Sequence, residues 1–201
     1  MDIRLKEKLR AEYQFDNKII DDIPVLLNDT FVTGDNQKYM NMYNWMSKGY
    51  DLAESIIGKL KYGNAINEMR SDILSKLEWR DNCSVLYVSI GTGKNLQFIP
   101  ELINKTTLDI VGVDISLGML KKCKKKYKNN LNLSLINCCA EDLPFKDNEF
   151  DIVFHVGGIN FFNDKALAIQ EMIRVAKMDS KILISDETAD YIGRRYYQIE
   201  G

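Results

Sequence analysis

The chain has 201 residues, enough for one domain with a real core, and is 45% hydrophobic and 28% charged, as in ordinary soluble globular proteins. A formal net charge of -2 provides no overall field for nucleic acid or an anionic membrane. The first residues, Met1-Asp2-Ile3-Arg4-Leu5-Lys6, bring charge at once and lead into no long apolar run, so neither a signal peptide nor a membrane span is expected, and the expected address is cytoplasmic. Cys83, Cys123, Cys138 and Cys139 lack the spacing of a zinc site and one histidine adds few ligands, so no metal site is expected.

The first eighty residues read as helices and connectors. Asp51 to Leu60 and Ala65 to Trp79 carry apolar residues at helical spacing, the second through Ile66, Met69, Ile73 and Leu77. No strand signal in that stretch is convincing. From Cys83 the texture changes to short apolar runs alternating with amphipathic helices. The runs are Ser84 to Ser89, Leu108 to Val113, Leu131 to Ile136, Asp151 to Val156 and Lys181 to Ser185. Runs of this length without clean alternation suit strands buried on both faces of a parallel sheet. Helical stripes between them are Met119, Leu120, Cys123 and Tyr127, then Ile169, Met172, Ile173 and Ala176. The pattern predicts a doubly wound, mostly parallel α/β sheet over 81–201, with residues 1–80 as an N-terminal helical cap.

The strongest local feature is Val85-Leu86-Tyr87-Val88-Ser89-Ile90-Gly91-Thr92-Gly93-Lys94-Asn95, a buried strand entering a Gly-x-Gly turn that opens a helix. Glycines there let backbone approach a ligand, and a helix start offers free N–H groups. A purely structural tight turn fits the same residues. The next strand ends at Asp114, 23 residues after Gly91. A carboxylate at that strand end accepts both ribose hydroxyls of a nucleotide; as an alternative, Asp114 caps the helix from Ser116 to Lys128. A dinucleotide site usually adds a third glycine to pack the helix near the pyrophosphate, and Leu96 stands in its place.

Five segments in order resemble the class I S-adenosylmethionine (SAM)-dependent methyltransferases, nearest the ubiquinone/menaquinone C-methyltransferase-like branch. They are Val85–Asn95, Gly112–Ser116, Ala140–Phe145, Phe150–Phe154, and Glu171–Lys177 with its following strand. The resemblance covers about residues 50 to 187. It implies a Rossmann-like sheet that binds SAM, and it assigns roles by position. Gly91 and Gly93 pass under the methionine part, with Ser89, Thr92 and Asn95 in the same loop. Asp114 holds the ribose, Ile115 and Met119 press on the adenine, and backbone at Ala140 and Glu141, beside Cys139, reads its edge. His155 lies near the sulfonium, and Tyr50-Asp51 matches a pair that closes over the cofactor.

The chain departs from the family at Tyr87, where an acid usually fixes the cofactor's ammonium. It departs also at Ser89-Ile90, in place of Gly-Cys or Gly-small, and at Cys139, where an aspartate is frequent. The resemblance implies two further strands after residue 187, whereas the sequence runs to Gly201, so the expectation is either a truncated chain or a sheet that has lost an edge. Several residues carry two readings. His155 is a general base or a structural strand-end histidine. Cys138-Cys139 binds a soft metalloid or packs in the core. The lysines from Lys121 to Lys126 form an RNA patch or a solvated face. The aromatic and methionine-rich segment Tyr39 to Tyr50 is a mobile cap with an apolar acceptor pocket, or plain core. The leading expectation is methyl transfer to a small apolar or aromatic molecule, without nucleic acid as partner. A non-catalytic SAM-binding module and a nucleotide-dependent oxidoreductase are the alternatives.

Overall fold

A computed structural model describes residues 3–14, 17–47, 64–128 and 130–186. The expected helix from Asp51 to Leu60, and the Tyr50-Asp51 pair, lie outside the described residues. Among the described residues seven strands, the first two along the chain being β1 (Lys18–Ile20) and β2 (Ile23–Val25), form one sheet in the order β1-β2-β5-β4-β3-β6-β7. The five apolar runs are its parallel heart: β3 (Ser84–Val88), β4 (Asp109–Asp114), β5 (Leu133–Asn137), β6 (Phe150–Val156) and β7 (Ala176–Ser185). β3 is central, pairing with β4 on one side, Val85 opposite Ile110, and with β6 on the other, Val85 opposite Ile152. All five of its residues are buried, which explains a run with no polar alternation.

The two faces bury different helices. Leu86, Val88, Val111, Val113 and Val153 pack with Ala168, Met172 and Val175 of α5 (Lys165–Val175) and with Leu5 and Leu9 of the N-terminal segment, which begins with α1 (Ile3–Lys8). Val85, Tyr87, Ile110, Ile152 and Phe154 pack with Leu74 of α3 (Ala65–Ser75) and with Leu120 and Cys123 of α4 (Leu117–Tyr127). The sheet is therefore wound on both sides, as expected. The stripes on α3 and α5 run differently from the sequence reading. Met69 and Ile173 are more than half exposed, and the buried positions are Leu74 on α3 and Ala168, Met172 and Val175 on α5. At a period of 3.6, a stripe shifted by one or two residues still looks apolar when the helix has several aliphatic residues.

The first eighty residues are not all helical. Besides α1, α3 and α2 (Gly34–Met46), they contain β1 (Lys18–Ile20) and β2 (Ile23–Val25), an antiparallel hairpin that extends the sheet beyond β5. β2 meets β5 in parallel at Val25 and Asn137. The strands are three residues each and β2 contains Pro24, which weakens a strand signal. Their turn is Asp21-Asp22 with φ of 51° and 57°, a two-residue turn normally written with Asn or Asp followed by Gly. The hairpin also accounts for part of the lysine cluster. Lys121 pairs with Asp21 at 2.7 Å and Lys124 with Asp22 at 2.8 Å, and Lys124 lowers the Asp22 carboxyl below its usual range.

Candidate active site

Order reverses at β3: the chain leaves it toward β4, while β6 lies on its other side. A cleft opens at such a switch point, beyond the carboxyl ends of the strands. Here it is a cavity of about 300 Å³ whose walls come from the ends of β3, β4, β5 and β6, small but within the range of ligand sites.

The loop after β3 forms its floor. Ile90 continues the ladder, its N–H donating to the Val113 carbonyl at 2.9 Å, and Ser89 beside it holds φ at 57°. Gly91 follows at φ 55°, and a Cβ built on it would meet no atom within 4 Å; it would stand in the cavity. Gly93 differs. At φ 74°, its added Cβ would fall 2.7 Å from Cys123 Sγ and from the Tyr127 ring, and Gly93 is not among the residues that line the cavity. The first glycine keeps ligand space open, and the second lets α4 pack close. After Gly93 the chain makes only a five-residue 3-10 turn, Lys94–Phe98, so the expected α-helix with its dipole is replaced by a single tight turn.

Asp114 closes the site on the β4 side. Its Oδ2 accepts the Gly91 N–H and its Oδ1 accepts the Ser116 N–H, both at 2.8 Å. The α4 cap is Ser116, whose Oγ accepts the Met119 N–H; the Asp114 carboxylate spans two loops instead of capping the helix. Burial raises its pKa to about 6, against the lowering effect of the two N–H donors. Because that value lies above the usual carboxylate range, ionisation of Asp114 costs the free fold stability above about pH 6, and this cost vanishes in acid. Asn137, 1% exposed, donates from Nδ2 to the carbonyls of Asp114 and Ile115 and so fixes this strand end.

Ile115, Met119, Ala140 and Glu141 also line the cavity, with Ser89, Thr92 and Asn95. The Glu141 side chain is occupied: Oε1 accepts Asn36 Nδ2 at 2.9 Å and the Asp164 N–H at 3.3 Å. Cys139 does not reach the wall, which its neighbour Cys138 does; both thiols are buried and burial raises their pKa, that of Cys139 to about 12. Among the described residues no group of three His, Cys, Asp or Glu side chains is placed to hold a metal, and none of the helices is long and apolar enough to cross a membrane.

His155 is also absent from the wall. It is 0% exposed, its Nδ1 bonds the Val88 carbonyl at 3.1 Å, and the Phe162 ring packs edge-on against it at 5.4 Å. Val88 offers an acceptor, so Nδ1 carries the proton, and burial lowers the imidazole's pKa and keeps it neutral. His155, expected as a base or cofactor contact, thus stands behind Phe162 and off the cavity wall. Strand-end position does not reveal the face: Val156, one residue on, is the one that lines the cavity.

Several lining residues escaped the sequence reading: Asn36, Arg70, Phe161, Phe162 and Asp186. The available signal was Gly157-Gly158 followed by Phe161-Phe162 at the end of β6. Tyr39 and Tyr43 of α2 face the same space, with the Tyr39 ring 4.2 Å from Phe161, whereas Trp45 is 79% exposed. The aromatic segment thus divides between cavity wall and surface. Asp186 Oδ2 accepts the N–H groups of Gly158 and Asn160 and shapes this wall.

Residues 86–184 match a family described as a methyltransferase domain. The chain is 29% identical over 143 residues to a demethylmenaquinone methyltransferase of Staphylococcus carnosus, covering 71% of this chain and 57% of that one. It is 27% identical over 157 residues to a ubiquinone/menaquinone biosynthesis C-methyltransferase of Geotalea daltonii, covering 76% and 64%. The chain thus spans less than two thirds of either relative. Among solved structures it resembles a putative methyltransferase from Bacillus halodurans, with a TM-score of 0.54 at 22% identity over 66% of this chain and 58% of that one, a likeness of fold.

The two glycines make separable predictions. Gly91→Ala places its methyl in open space and bears only the backbone strain, about 1 kcal/mol. Gly93→Ala adds a collision with Cys123 and Tyr127, for about 3 kcal/mol in all. Urea unfolding should separate the two; equal losses would mean that both glycines serve packing alike.

Proposed function

We propose that the chain, whose residues 86–184 match a methyltransferase-domain family, is a class I SAM-dependent methyltransferase that binds SAM in the cavity above Gly91 and transfers a methyl group to a small apolar or aromatic acceptor. The observation that carries this reading is the open space over Gly91 beside the Asp114 carboxylate. It fits a nucleoside joined to a slender chain and has no third glycine for a pyrophosphate. SAM, when bound, supplies an electrophilic methyl on a sulfonium. The protein's residues then do the rest. Asp114 accepts the ribose hydroxyls, Ile115 and Met119 sandwich the adenine, and the backbone of Ala140 and Glu141 meets its edge. Gly91 passes under the methionine portion.

Tyr39, Tyr43, Phe161 and Phe162 supply the acceptor side. Their rings offer apolar faces and exclude water, and in-line alignment of a nucleophile with the methyl accounts for the rate without a base. The relatives' names point to demethylmenaquinone and ubiquinone/menaquinone, ring compounds suited to such a wall, so a demethylated quinone is the first acceptor to test. The lysines of α4 support a small molecule over nucleic acid, since two of them are paired with the hairpin turn.

Two measurements test this. In calorimetry, S-adenosylhomocysteine should bind, and its affinity should fall as pH drops through about 6, where Asp114 gains a proton. Asp114→Asn should weaken binding about 30-fold at neutral pH, the cost of charge-assisted hydrogen bonds, and flatten that pH dependence. An unchanged pH slope in the variant would remove Asp114 from the ribose. With methyl-labelled SAM, the label should enter a quinone-containing metabolite fraction; label mainly in RNA or protein would refute the small apolar acceptor.

A further inference from the structure

Where α2 meets the loop before α5, the cavity wall carries a carboxylate with one oxygen still open. Glu141 is 3% exposed and lines the cavity. Its Oε1 is taken twice, by Asn36 Nδ2 at 2.9 Å and by the Asp164 N–H at 3.3 Å. Its Oε2 takes no hydrogen bond from the described residues. Nor is Oε2 sealed in the core, as the unpaired Asn95 Oδ1 and His155 Nε2 are. The opening left to it is the cavity whose wall Glu141 forms. Buried polar groups are nearly always paired, so an open carboxylate oxygen on a ligand cavity marks the place of a ligand donor.

The partners of Oε1 put this carboxylate among the aromatic rings. Asn36 stands one helical turn before Tyr39 on α2, and both line the cavity. Asp164 closely follows Phe161 and Phe162, which line it too. The Asn36 N–H donates to Asn163 Oδ1 at 3.2 Å, the Asn163 N–H donates back to Asn36 Oδ1 at 3.4 Å, and the Tyr39 ring lies 4.2 Å from that of Phe161. The two aromatic elements are thus joined beside the carboxylate. Asp114 is engaged with Gly91 and Ser116, and Asp186 with Gly158 and Asn160. A flat acceptor lying against these rings therefore meets the open oxygen of Glu141 at its edge. A ring hydroxyl is the donor that suits it. The hydroxyl leaves the ring faces apolar, and a charge-assisted bond to a carboxylate draws its hydrogen away and sends electron density into the ring that takes the methyl.

Resting on the SAM reading above, we infer that Glu141 selects the methyl acceptor: its Oε2 accepts a hydrogen bond from a hydroxyl on the acceptor's aromatic ring. The same ring with its oxygen alkylated loses that bond.

Calorimetry on protein saturated with S-adenosylhomocysteine, with 1-naphthol and 1-methoxynaphthalene as probes, tests this. The two share a ring system, and only the first carries a donor. Wild-type protein should bind 1-naphthol at least about tenfold more tightly, the worth of a hydrogen bond to a charged group. Glu141→Gln is nearly isosteric. Its amide oxygen still accepts from Asn36 and Asp164, which turns its NH2, a donor, to the cavity. The variant should bind the two probes within about twofold of each other, through loss of 1-naphthol affinity. Its affinity for S-adenosylhomocysteine should stay within about twofold of wild type, because the backbone at residue 141 is unaltered. Wild-type protein that binds both probes alike, or neither, overturns the inference, and so does a variant that keeps the preference for 1-naphthol. A variant that loses S-adenosylhomocysteine instead assigns Oε2 to the cofactor and overturns it too. Wild-type protein that binds no S-adenosylhomocysteine overturns the SAM reading on which the inference rests.

Discussion

The site depends on one carboxylate. Asp114 stands at the end of β4 and holds the Gly91 N–H of the neighbouring loop with one oxygen and the Ser116 N–H with the other. With both bonds made, the floor of the cavity and the start of α4 cannot move independently. Asn137 locks the same strand end from β5 through the carbonyls of Asp114 and Ile115. The arrangement costs something, because burial pushes the carboxyl up to about 6 and a charge is held near neutral pH in a place that disfavours it. Such strain against stability is common where a ligand is meant to complete the hydrogen bonding.

Helix α2 is tied to this centre by polar contacts more than by apolar ones. Asn44 of α2 accepts from Ser116 Oγ and from the Gly118 N–H, and Asn36 donates to Glu141. Gly118 lets the helix come close, since an added Cβ would sit 2.8 Å from Ser47 Oγ and 3.2 Å from Asn44 backbone. α2 therefore touches the loop that follows β4 and the one that follows β5, while Tyr39 and Tyr43 line the cavity. Elements held by a few polar contacts lie at the low-stability end of a fold.

Much of the sheet is legible in the sequence because its strands are buried on both faces. Lys181 to Ser185 and the four earlier runs reappear as parallel strands, their ends displaced by a residue or two except at the start of β7. The β1-β2 hairpin was not legible: Pro24 and an Asp-Asp turn hide strands of three residues that are recognisable only by their partner β5. In the site, Gly91, Asp114, Ala140 and Glu141 follow from local motifs at strand ends, and each lines the cavity. Gly93, Cys139 and His155 belong to the same motifs but face packing partners, because a motif fixes position along a strand and not the side to which each residue turns. Arg70 and Asn36 come from distant helices, so no spacing announces them, whereas Phe161 and Phe162 follow the Gly157-Gly158 turn at the end of β6.

In the proposed complex SAM lies across the Gly91 loop and the β4–β5 strand ends. The most direct measurement is a backbone amide spectrum recorded while S-adenosylhomocysteine is added. Binding there should give saturable shifts at the amides of Gly91, Ile115 and Ala140, with those of the β1-β2 hairpin unmoved. Saturable binding that leaves these three amides in place, or the same shifts produced by NADH and not by S-adenosylhomocysteine, would contradict it.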